Sequence, residues 1–158
     1  MNPVLSIYRV SRKLYRLKLY GLSKTFDFLN RLLFSVWLPG SATIGTNFTI
    51  GYLGLGVVIH NQAVIGNNVW ICQHVTIGRN FGDIQVPRIE DNVYIGANCT
   101  IIGNITVGKN AIIGCNTVVN KSVPPNSTAA GNPMRIVSTN NSHNHLMLRQ
   151  RDKLPANL

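Results

Sequence analysis

Acidic residues are scarce in this chain. Five Asp and Glu stand against fifteen Lys and Arg in 158 residues, for a net charge of +10. Charged residues together make up 13% of the chain, about half the usual share, so neighbouring subunits are expected to cover part of the surface. Cysteine is limited to Cys72, Cys99 and Cys115. An odd number without metal-ligand spacing excludes a disulfide framework and reads as reduced thiols in a cytoplasmic protein. Long apolar runs are missing too. The longest, residues 32–38, is broken by Ser35 and cannot span a bilayer. The basic start has no cleavable apolar core, so no signal peptide is expected. The length fits one domain.

The excess positive charge is unevenly placed. Residues 1–40 hold seven bases and one acid, residues 41–137 five and three, and residues 138–158 three and one. The main body is nearly neutral, and no familiar nucleic-acid-binding motif is present, so nucleic acid is not an expected partner.

Residues 1–40 read as a helical arm. Over residues 3–20, Val4, Ile7, Tyr8, Leu14 and Leu17 share one stripe, with Arg9, Arg12, Lys13 and Arg16 mainly opposite. Gly21 is expected to end that helix. Ser23 can cap a second one carrying Leu22, Phe26, Leu29 and Leu33 on one face, closed by Pro39-Gly40. Such an arm can lie on an anionic membrane surface, or its apolar face can pack on the rest of the protein. Residues 138–158 read as a polar, flexible tail, and His143 and His145 are set aside with it.

Between arm and tail the chain repeats every six residues. Ile44-Gly45 and Ile50-Gly51 are followed, after an irregular stretch, by Ile59-His60, Ile65-Gly66, Ile71-Cys72 and Ile77-Gly78. A second irregular stretch covers residues 79–88. Ile89-Glu90, Ile95-Gly96, Ile101-Ile102, Val107-Gly108, Ile113-Gly114 and Val119-Asn120 then continue the period. A small or branched residue usually follows four places later: Ala63, Val69, Val75, Val93, Cys99, Ile105, Ala111, Thr117 and Val123. Period six fits neither an α-helix nor a heptad coil. It fits an all-β solenoid, with one inward aliphatic per flat side and Gly or Asn at the turns. Stacked coils would form parallel ladders about 4.8 Å apart.

This repeat resembles the hexapeptide-repeat acyltransferases. The resemblance covers residues 41–137 and implies a left-handed parallel β-helix, a homotrimer and acetyl-CoA as co-substrate. From Ile89 on, the segment through Ile95-Gly96-Ala97, Ile101-Ile102-Gly103-Asn104-Ile105-Thr106-Val107-Gly108, Val123-Pro124-Pro125 and Ala129-Ala130-Gly131-Asn132-Pro133 looks most like the serine acetyltransferase branch. That branch includes small O-acetyltransferases of capsular and extracellular polysaccharide.

Acetyl transfer to a hydroxyl needs a general base, a donor for the developing oxyanion and a groove for the coenzyme. Histidine is the natural base near neutral pH. The resemblance implies a histidine in the first irregular stretch, where Tyr52 and Leu53 stand, and a second in the other stretch, which here reads Gly82-Asp83-Ile84-Gln85-Val86-Pro87. Both histidines are missing. Register offers a replacement. One coil is eighteen residues, and eighteen before His74 lies Gly56, inside the first irregular stretch. His74 is therefore the first candidate base. His60, eighteen before Gly78 and able to face a neighbouring subunit, is the second. Tyr52 and Asp83 are candidate acceptor contacts. The resemblance places Gly78, Ala97 and Cys115 along the coenzyme, with Arg135 near its nucleotide end, and Lys121 can meet phosphates as a charge. Two histidines in the repeat are too few for a three-histidine zinc site, so no metal is expected.

The missing histidines and the short arm favour transfer to a saccharide hydroxyl, in a polysaccharide or its precursor. Serine acetyl transfer and a non-catalytic trimeric solenoid are the alternatives.

Overall fold

The computed structural model describes residues 2–141. Two helices come first, α1 (Pro3–Arg16) and α2 (Tyr20–Phe34). The first coil holds β1 (Thr43–Ile44), β2 (Thr49–Ile50) and β3 (Val58–Ile59). The second holds β4 (Val64–Ile65), β5 (Trp70–Ile71) and β6 (Thr76–Gly78). The third holds β7 (Arg88–Ile89), β8 (Tyr94–Ile95) and β9 (Thr100–Ile102), and the fourth β10 (Thr106–Val107), β11 (Ile112–Ile113) and β12 (Val118–Val119). Then come β13 (Thr128–Ala130) and β14 (Arg135–Ser138).

Each strand pairs in parallel with its equivalent in the next coil, giving three ladders: β1-β4-β7-β10, β2-β5-β8-β11-β13 and β3-β6-β9-β12. This is a left-handed parallel β-helix preceded by a helical arm. The first corner lies between the first and second ladders, the second corner between the second and third, and the third corner between the third ladder and the next coil. Two insertions interrupt the period. Ile50 and Ile59 are nine residues apart, which enlarges the second corner of coil one. Ile77 and Ile89 are twelve apart, which enlarges the third corner of coil two.

The repeat generates the core directly. Ile59, Ile71, Ile77, Ile95, Ile101 and Ile113 are fully buried, and so are the small followers Val69, Val75, Val93, Cys99, Ala111 and Thr117. Such burial contributes about 1.5–3 kcal/mol per large aliphatic side chain. At the first corner, Asn47, Asn68, Asn92, Asn110 and Asn126 all have φ between 54° and 61°. Asparagine tolerates this left-handed angle better than other non-glycine residues. Their side chains form a ladder in which each Nδ2 donates to the next Oδ1, at 3.0, 3.0, 3.0 and 2.8 Å.

Both ends of the solenoid are covered. Trp37 bridges to Val58 at the start, and β14 folds back antiparallel on β13 at the end, so few ladder groups are left as open edges. Asn141 is still tied to the stack: its N–H donates to Asn126 O at 2.8 Å, and its Oδ1 accepts from Thr128 Oγ1 at 2.7 Å. His143 and His145 lie outside the described residues.

The arm differs from the sequence expectation. Gly21 lies inside α2 rather than ending α1, and Ser23 is not a cap. Asn2 caps α1 instead, accepting from Val4 N–H at 3.0 Å. More important, α2 buries its polar side. Ser23, Asp27 and Asn30 are the buried residues of α2, while Leu22, Leu29 and Leu33 are exposed. The reason is a polar network. Ser11 Oγ donates to Asp27 Oδ1 at 2.6 Å, and that oxygen also accepts from Gly40 N–H at 3.0 Å. Asn30 Nδ2 donates to Val4 O at 3.2 Å. From the same face of α1, Tyr8 Oη donates to Ala42 O at 2.8 Å, and the neighbouring Arg12 donates to Gly40 O and Ser41 O. The arm is thus fastened to the first coil by hydrogen bonds.

Two outcomes are expected. Asn92→Ala should cost about 2 kcal/mol, combining an Ala forced to positive φ with lost ladder bonds, and Asn92→Gly should cost less; chemical denaturation checks this. Burial pushes the Asp27 carboxyl above its usual range, against the opposing pull of Ser11 and Gly40. The folded state therefore holds that proton more tightly than the unfolded chain, and ionisation above the raised pKa removes stability. Asp27→Asn should gain stability relative to the wild type as pH rises through the raised Asp27 pKa, read as the difference in Tm.

Candidate active site

The first insertion builds the second corner around His74. Where Asn98 and Asn116 make the left-handed turn in the coils above, with φ of 59° and 57°, His74 makes it here at 56°. Its backbone N–H donates to Leu55 O at 2.8 Å, locking it to the inserted loop. The imidazole lies directly against Gly56, as the eighteen-residue register requires. Gly56 has φ of 67°, and a methyl group built there would overlap the ring. Position 56 is therefore restricted to glycine twice over, by its backbone angle and by the histidine. As a residue, His74 is exposed.

Beside it the loop is strained. Tyr52 (φ 48°, ψ 41°) and Leu53 (φ 53°, ψ 21°) are consecutive non-glycine residues in left-handed conformation. Each such residue costs about 1–2 kcal/mol, and strain of this kind concentrates at functional sites. Tyr52 is 79% exposed. Sequence reasoning marked Tyr52 by its position but missed the strain, which has no sequence signature beyond the absence of Gly or Asn at those turns.

His60 sits elsewhere, on the third corner under Gly78, with its N–H donating to Ile77 O at 2.8 Å. It is half-buried. Its Nδ1 accepts from Gln62 N–H at 3.2 Å. Burial first, and the positive charge of Arg79 second, hold its pKa below the ordinary histidine value. In the neutral ring, an accepting Nδ1 leaves the proton on Nε2. His60 thus presents a donor outward, whereas a base needs a free lone pair there. The second insertion rises from the same corner, with Phe81 fully exposed and Ile84 84% exposed. These two apolar side chains at an insertion tip escaped the sequence reading. Asp83 Oδ2 leans on Gly103, 3.0 Å from where a side chain there would begin.

The candidate coenzyme residues divide between the corners. Ala97 and Cys115 stack on the second corner above His74, and Asn116 N–H donates to Ala97 O at 2.9 Å. Gly78 and Lys121 are on the third. Arg135 is on β14, paired with Ala130 and exposed. Small residues keep the way open: at Gly78 a side chain would meet nothing nearer than Thr76 Cγ2 at 3.9 Å. Cys72, Cys99 and Cys115 are all free thiols. Cys99, donating to Gly114 O at 3.0 Å, is pushed up to about 11 by burial, and is an inert core group. Among the described residues, no group of three or more His, Cys, Asp or Glu is placed to hold a metal ion.

With this geometry in place, the likeness to known proteins can be read. Residues 87–121 match the bacterial transferase hexapeptide family (six repeats). The chain is similar to the hexapeptide-repeat acyltransferases. Within them it is similar to serine acetyltransferases. It is 37% identical to the enzyme of Bacillus pumilus over 135 residues, 84% of this chain and 62% of that one. The structure of soybean serine acetyltransferase complexed with serine shares 39% identity and a TM-score of 0.80, covering 85% of this chain and 56% of that one. The Brucella abortus enzyme in complex with coenzyme A shares 30% identity and a TM-score of 0.82, covering 86% and 55%. The chain therefore spans about six tenths of the length of these relatives. These matches overturn the expectation of a saccharide acceptor, which the missing histidines had suggested: the proteins that this chain resembles are named serine acetyltransferases.

Gly56→Ala is expected to turn the His74 ring out of its seat without disturbing His60. Imidazole NMR spectra should show His74 resonances shifted and His60 resonances in place. Unchanged His74 signals would mean that the ring does not rest on Gly56.

Proposed function

We propose that this chain transfers an acetyl group from acetyl-CoA to the hydroxyl of serine, with His74 as the general base. The observation that carries the reading is the likeness to the soybean enzyme in its serine complex, at 39% identity over 85% of this chain. The histidine seated on Gly56 supplies the group that the chemistry requires.

Acetyl-CoA supplies the activated acyl group. His74 takes the hydroxyl proton at a ring nitrogen and can return it to the departing thiol. His60, with its outward Nε2–H, is a hydrogen-bond donor rather than a second base. Its uncharged ring suits it to an acceptor oxygen or to the charge developing on a carbonyl. Tyr52 and Asp83 contact the acceptor. The residues present fit the coenzyme: Gly78, Ala97 and Cys115 leave space for its arm, while Lys121 and Arg135 offer exposed cations to its phosphates.

In one chain, His74 and the Asp83 loop lie at opposite edges of the third ladder, about 15–20 Å apart for six extended residues. A single site therefore needs the third corner of a neighbouring copy against the second corner of this one. A homotrimer meets that need, and a chain so poor in charge suits it. A cytoplasmic location, where thiols stay reduced, completes the reading.

The test is coenzyme A release from acetyl-CoA, with serine and with simple and nucleotide sugars as acceptors. Serine should drive release. His74→Ala should lower kcat by about 100-fold or more, the range for a lost general base. His60→Ala should lower it less and keep its pH profile. Release driven by sugars alone, or full activity in His74→Ala, would overturn the assignment.

A further inference from the structure

The solvent-facing side of α2 is mainly apolar, with Thr25 its one polar side chain between the leucines. At 100° per residue, Leu22, Phe28, Leu29, Leu32 and Leu33 fall away from Ser23, Asp27 and Asn30, with half-buried Phe26 at the border. Leu32 is 82% exposed, Phe28 58%, Leu33 57% and Leu22 55%. Leu17, Leu19 and Tyr20, in and beside the turn between the helices, are exposed as well. This exposure is fixed by the fold. Rotating α2 to bury its leucines would pull Asp27 off Ser11 and Gly40, and Asn30 off Val4. Five large apolar side chains exposed on one helix face mark an interaction surface.

Charge selects the occupant. The arm carries Arg9, Arg12, Lys13, Arg16, Lys18, Lys24 and Arg31, and its one acid, Asp27, is buried. Lys24 and Arg31 lie on one border of the apolar face. Pairing this face with the same face of another copy would bring two arms of +6 together, with no exposed arm carboxylate to offset them. An anionic lipid surface would neutralise both arms and take up the leucines. No helix among the described residues is long and apolar enough to cross a membrane. An amphipathic helix flanked by bases lies in the plane of the headgroups instead.

We propose that α2 docks this protein onto anionic membranes, with Leu22, Phe28, Leu29, Leu32 and Leu33 entering the headgroup region and the arm's bases meeting lipid phosphates. The proposal is independent of the acetyl-transfer reading.

Flotation of the full chain with lipid vesicles tests it. Wild type should float with vesicles of phosphatidylcholine and phosphatidylglycerol, not with phosphatidylcholine alone. Raising salt to about 0.5 M should weaken the interaction. The Leu29→Glu/Leu32→Glu double variant changes only exposed side chains. It should keep its thermal melting and its mass by light scattering while losing binding by about tenfold or more. Three results would overturn the proposal: no flotation of wild type with phosphatidylglycerol vesicles, undiminished flotation of the double variant, or a fall in the variant's mass. The last would make the face an interface between copies.

Discussion

Every coil of this protein depends on a tight turn that the backbone makes with a left-handed residue. Without those turns the strands, two to four residues long, could not reverse direction often enough to stack. Asparagine occupies the position in all five turns of the first corner and bonds to its counterparts above and below. The turn thus meets its backbone requirement and adds a side-chain ladder parallel to the strand ladders. The inward isoleucines then fall in line, because the chain spends six residues per side and always returns the same position to the interior. Stability is spread along the stack, each coil resting on its neighbours.

The site arises where that rule is broken. At the second corner of coil two, histidine takes the left-handed position that asparagine holds in the coils above. In coil one the corresponding place is lengthened and carries two strained residues. The stack holds the histidine by its backbone, through the bond to Leu55, and Gly56 leaves it a seat. A rigid repeat can support such departures because the ladders on either side keep their register. The second insertion behaves alike: strands β6 and β7 remain aligned with their neighbours although the loop between them stands out.

The sequence made the solenoid legible because a period of six has no other economical structure, and counting eighteen residues was enough to pair His74 with Gly56. Apolar periodicity was less informative in the arm. It identified the faces of α2 correctly but not which one turns inward. That choice rests on Ser11, Ser23, Asp27, Asn30 and the Gly40 amide, five groups scattered over thirty residues that no local pattern connects. The chemical difference between His60 and His74 was equally hidden. Both occupy corners, and no local pattern announces the hydrogen bond from Gln62 N–H to His60 Nδ1.

The acceptor shows a different limit. Missing histidines in the irregular stretches were weighed as evidence against serine. Yet a general base is defined by a lone pair at the right place, not by its position in the chain, and adjacent coils are only about 5 Å apart. A histidine moved up by one coil stays near its former position in space. In a solenoid, a catalytic group can therefore pass from one coil to the next while the surface it helps to form changes little. A substitution that looks like a lost site in a linear comparison is then compatible with the same chemistry performed from the next coil.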